Sequence, residues 1–64
     1  MDVNKIEELF EQLKNGEIEK IEVGKDEFMD FRSVLVKRED FKHFQGIAHI
    51  GGSVTYKYLE IPRS

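Results

Sequence analysis

Residues 41–61 read FKHFQGIAHIGGSVTYKYLEI, two strand-forming stretches separated by Gly51-Gly52. Val54, Thr55, Tyr56 and Tyr58 are β-branched or aromatic, the types that fit a pleated, half-buried surface. Adjacent glycines accept the positive φ angles that a two-residue hairpin turn requires. The pattern predicts paired strands over 41–50 and 53–61. Pro62 closes the hairpin at its edge, where a missing N–H does no harm. Glu39-Asp40 offers an alternative beginning, a short helical turn through Phe44 that delays the first strand.

If Gly51-Gly52 is the whole turn, the register follows by counting. Ala48 then faces Thr55, Gly46 faces Lys57 and Phe44 faces Leu59. On the other side His49 meets Val54, Ile47 meets Tyr56, Gln45 meets Tyr58 and His43 meets Glu60. The first face, with Phe44, Ala48, Ile50, Leu59 and Ile61, is the expected core. A slip of one residue would exchange the faces, so the assignment depends on the turn length.

Upstream, Val3, Ile6, Leu9, Phe10 and Leu13 recur at spacings of three and four, the apolar stripe of a helix. Its N-terminus has two candidate caps, Asp2 or an Asn4–Glu7 capping box. Lys14-Asn15-Gly16 supplies the stop, since glycine takes the left-handed conformation that ends helices. Residues 17–23 read as a strand, with Ile21 and Val23 alternating with Lys20 and Glu22; Ile18 breaks the alternation. After Gly24, Phe28, Phe31 and Leu35 sit at helical spacing. Asp26, Glu27 and Asp30 stand at the start and Lys37 and Arg38 at the end, the order a helix dipole favours. A helix over 27–37 is therefore expected, although Val34-Leu35-Val36 has strand-like composition. The resulting order is α-β-α-β-β: an α+β domain with two helices on one face of a small, mainly antiparallel three-stranded sheet.

Sixty-four residues make one domain, and a chain this short buries only about 60% of its unfolded surface. Disulfides and thiolate metal sites are excluded because there are no cysteines. The opening residues are polar and amphipathic rather than signal-like, and the longest apolar run is Val34-Leu35-Val36. The expectation is a soluble, cytoplasmic protein. Net charge is −3, with ten acidic and four basic residues in the first 31 positions and three acidic and six basic in the rest.

Several chemistries fail on spacing. Gly46 to Ser53 mimics the phosphate-loop pattern G-x-x-x-x-G-K-S, but Gly52 stands where the lysine belongs and a strand pattern follows instead of a helix. His43 and His49 share a strand face yet lie roughly 20 Å apart at about 3.4 Å per residue, too far for one metal ion. Ser33, Ser53 and Ser64 occupy no nucleophile elbow. No catalytic residue, metal or cofactor is expected, and the chain reads as non-enzymatic.

Two binding roles remain. The face carrying Ile47, Val54, Tyr56, Tyr58, His43 and His49 is more apolar than a solvated sheet face needs, and tyrosine suits interfaces. It is expected either to bind a protein partner or a second copy of the chain, or to pack against a loop or helix inside the monomer. The alternative role is single-stranded nucleic-acid binding through Arg32, Lys37, Arg38, Lys42, Lys57 and Arg63, with tyrosines as stacking platforms. The dispersed basic charge and the acidic first helix weigh against it.

Overall fold

The computed structural model describes residues 2–62; Arg63 and Ser64 lie outside the described residues. Helix α1 spans Val3–Lys14, and its Asp2 cap accepts a hydrogen bond from the Asn4 amide at 3.2 Å. Asp2, not the Asn4–Glu7 box, is thus the cap. At the other end Gly16 adopts φ +79°. The amide of Glu17 bonds the Gln12 carbonyl and that of Gly16 bonds Leu13, the paired bonds of a Schellman motif.

That motif shortens the next element. Because Glu17 is tied into the helix cap, the strand expected over 17–23 is reduced to β1, Ile21–Val23, with Ile18 half-buried in the approach. A turn follows in which the Gly24 carbonyl accepts from both Glu27 and Phe28. Helix α2 spans Phe28–Leu35, shorter at both ends than the expected 27–37. Its end tightens as Lys37 and Arg38 bond back to Val34 and Leu35, three residues earlier. Val34-Leu35-Val36 therefore ends a helix and forms no strand. A single 3₁₀ turn, Phe41–His43, then delays the hairpin as Glu39-Asp40 allowed.

The hairpin consists of β2, Phe44–Ala48, and β3, Val54–Tyr58, and the antiparallel sheet runs β1-β3-β2. Its loop differs from the expected two-residue turn. His49 donates to the Ser53 carbonyl at 2.9 Å, and the Gly52 amide returns to the His49 carbonyl at 3.1 Å. Three residues, Ile50-Gly51-Gly52, make the loop, with φ of +101° and +97° at the glycines. The added loop residue slips the register by one: Phe44 pairs with Tyr58, Gly46 with Tyr56 and Ala48 with Val54. Because side chains alternate between faces, Val54, Tyr56 and Tyr58 move to the side of Phe44. There they join Ile21 and Val23 of β1, opposite Tyr56 and Val54.

Both helices cover this face, and the fold is the α+β arrangement expected. Phe10 is the hub, fully buried, with its ring edge-on to Phe31, Phe44 and Tyr56 at 5.8, 5.1 and 5.6 Å. Ile6, Leu13, Val34 and Leu35 close around it. The slip also corrects the expected core: Ala48, Ile50 and Ile61 are exposed and Leu59 is half-buried. Among the described residues, no helix is long and apolar enough to cross a membrane.

Candidate functional site

The register separates the residues expected to form one contact face. Val54 and Tyr56 lie buried under the helices and cannot belong to an exposed surface. Burial pushes the Tyr56 phenol above its ordinary pKa, with the nearby Arg32 charge acting in the opposite direction. Tyr58 is half-buried, edge-on to Phe44 and stacked on the His43 ring at 5.3 Å. The His43 Nδ1 hydrogen-bonds the Leu59 carbonyl oxygen at 2.8 Å, fastening the end of the hairpin. Ile47 and His49 remain on the open face of the sheet, where the His49 Nε2 lies 2.7 Å from the Thr55 hydroxyl. The two histidines thus sit at opposite ends of β2 with separate partners.

The basic residues are also dispersed. Arg38 donates from Nε and Nη2 to the two Asp40 carboxylate oxygens at 2.9 and 3.1 Å, and from Nη2 to Glu11. Its guanidinium lies 5.6 Å from the Phe44 ring centroid. The fork raises the Arg38 pKa, and the same hydrogen bonds hold the Asp40 carboxyl below its ordinary range. Arg38 is therefore a clasp from α1 to the segment after α2. Lys37 borders a hollow beside Glu7 and Asp30, Lys42 is exposed on the 3₁₀ turn, and Lys57 stands on the open sheet face. Among the described basic residues, only Arg32 reaches the groove described next.

That groove runs between α2 and β2, with an open volume of about 360 Å³. Phe28 and Leu35 form its helical wall, and Phe44, Val54 and Tyr56 its floor, with Val36 and Phe41 at 53% and 37% exposure beside them. Gly46 opens it: a Cβ there would stand 3.3 Å from the Tyr56 ring and 3.6 Å from Val54. Alongside runs the free edge of the sheet, since among the described residues β2 pairs only with β3. The His49 amide and His43 carbonyl bond across the hairpin, so odd-numbered positions of β2 turn their main chain inward. Alternation then turns the N–H and C=O groups of Gly46 and Ala48 outward.

The two sheet edges are built differently. β1 has three residues, an exposed Glu22 and a Lys20–Glu22 ion pair at 3.6 Å, devices that blunt an edge against pairing. β2 has five residues, with no charge, proline or bulge. It lies in a run from His43 to Tyr56 with no Asp, Glu, Lys or Arg, in a chain where such residues make up 36%.

A family model described as YkzS-like protein matches residues 3–57, from the first residue of α1 to the penultimate residue of β3. The chain belongs to the YkzS-like protein family. The matched span includes α2, the whole of β2 and every groove residue. No curated protein and no solved structure matches the chain. The sequence pattern places the apolar patch on Ile47, Val54, Tyr56 and Tyr58 and does not reveal the groove. The charge-free interval 43–56 was the signal that points to the β2 edge.

Proposed function

We propose that this YkzS-like chain is a non-enzymatic protein-contact module whose binding surface is the α2–β2 groove and the free β2 edge beside it. The observation that carries this reading is the contrast between the short, charged β1 edge and the bare β2 edge. An unprotected edge offers main-chain donors and acceptors to an extended strand, and an adjacent pocket selects its alternate side chains. The groove supplies such a pocket, and Gly46 allows a partner backbone to approach closely. The shifted ionisable groups support the same reading. Arg38 and Asp40 satisfy each other in a clasp, and the Tyr56 phenol shifts through burial.

The test is site-specific photocrosslinking in the producing cell, with a photoreactive residue at Val36 or, as control, at Glu22. A discrete protein adduct from position 36 and none from position 22 is expected. Adducts from position 22 alone would place the contact surface elsewhere.

A further inference from the structure

Resting on that reading of the β2 edge, we infer that its partner is a second copy of this chain, with β2 paired antiparallel to β2 about a two-fold axis at Ile47. Three features lead there. A strand that pairs with itself sets each residue against its own sequence, so charges along it must be matched or absent. Here the interval from His43 to Tyr56 carries none.

The main-chain groups fix the register. The Phe44 amide is already bonded to the Phe41 carbonyl, which leaves Gly46 and Ala48 as the outward donors of β2. An axis at Gly46 would set Ala48 against that spent Phe44 amide and orphan the Ala48 carbonyl. With the axis at Ile47, Gly46 faces Ala48 of the second copy. Each pair exchanges both hydrogen bonds, and every outward group of the two residues is satisfied.

The side chains agree with this register. On the helix side the seam is lined by Gly46 and Ala48 of both copies, small enough to let exposed Val36 and Phe41 approach it. On the open side half-buried Ile47 meets its counterpart, and Gln45 meets His49. The two three-stranded sheets become one of six strands. Its outer edges are the short, charged β1 strands, so the two-fold contact closes the assembly.

The absence of cysteine gives a clean background for the test. In the full chain, Ile47→Cys places two thiols across the axis at a non-hydrogen-bonded pair, with Cα atoms about 4.5 Å apart, within disulfide reach. Gln45→Cys shares the exposed face but stands four residues out of register with its copy, about 14 Å away. Under identical mild oxidation, the Ile47→Cys chain is expected to form covalent dimer at least ten times faster. Mixing the Gln45→Cys and His49→Cys chains should give the heterodimer. Unmodified chain should weigh twice 7.5 kDa by light scattering, and Ala48→Lys should return it to monomer with an unchanged far-ultraviolet spectrum. A single-chain mass up to about 1 mM, where even a millimolar Kd leaves detectable dimer, would overturn the inference. So would equal crosslinking rates at positions 45 and 47. A monomer that still gives a heterologous adduct at Val36 would refute self-pairing while leaving the contact-module reading intact.

Discussion

Replacing Arg38 with methionine keeps most of its apolar stem and removes the fork that joins Asp40, Glu11 and the Phe44 ring. The Arg38 side chain is only 16% exposed and Asp40 20%, so this pair is better shielded than a typical surface salt bridge. Hydrogen bonds to charged groups contribute about 1.5–3 kcal/mol net, and a partly exposed cation–π contact about 0.5–1. Some of that returns, because Lys14 stands 3.7 Å from Asp40 and can follow it. The net loss for Arg38→Met is about 2 kcal/mol. Arg38→Lys, which keeps the charge but not the planar fork, should lose about 1.

Urea denaturation followed by tyrosine fluorescence measures both. With a slope near 1 kcal/mol per molar for a small domain, the methionine variant's midpoint should fall by about 2 M. The effect depends on pH with a definite sign. The folded-state pKa of Asp40 is depressed, so its contribution is complete above the ordinary aspartate value of about 4 and disappears as pH falls below it. The gap between wild type and Arg38→Met should therefore narrow in acid. A variant within about 0.5 kcal/mol of wild type at neutral pH would refute the clasp and return Arg38 to the surface residues.

Three further outcomes are expected. Gly51→Ala should cost about 1 kcal/mol or more because its φ of +101° lies where side chains are strained, and Gly52→Ala should cost more, since its Cβ also meets the Lys25 side chain at 3.1 Å; thermal melts rank them. Asp2→Ala should lower stability by about 1 kcal/mol through loss of the α1 cap, read by the same melts. Burial raises the Tyr56 pKa, so folding favours its neutral form and loses stability as pH rises beyond the ordinary tyrosine value near 10. Tyr56→Phe should flatten that alkaline loss, read by melts at rising pH.

Much of this architecture was legible in the sequence because each helix carries its own punctuation. The stripe from Val3 to Leu13 and the Gly16 stop need no tertiary information. The hairpin register was not legible, for a physical reason. Both parities of residues 54–61 carry apolar side chains, Val54, Tyr56 and Tyr58 on one and Leu59 and Ile61 on the other, so hydrophobic alternation cannot choose between them. The choice is made by the third strand. β1 places Ile21 and Val23 beside Tyr56 and Val54, concentrating β-branched and aromatic residues on one face under Phe10. β3 becomes the central strand, with Val54, Thr55 and Tyr56 all buried, a fact that lies in the pairing order rather than in any local pattern. The residues expected to share one sheet face part company in the fold. Half-buried Ile47 and exposed His49 stay on the open face, but Val54 and Tyr56 belong to the core, and the groove exists only once α2 is laid beside β2.

Self-pairing through β2 would engage the outward amides of Gly46 and Ala48, and residue-resolved hydrogen exchange on the unmodified chain at low and high concentration reads them directly. In an isolated monomer they face water, while the Ile47 amide is held by β3. Gly46 and Ala48 are expected to gain protection of at least tenfold as concentration rises, with Glu22 on the opposite edge unchanged. Outward amides that exchange freely at every concentration would contradict self-pairing.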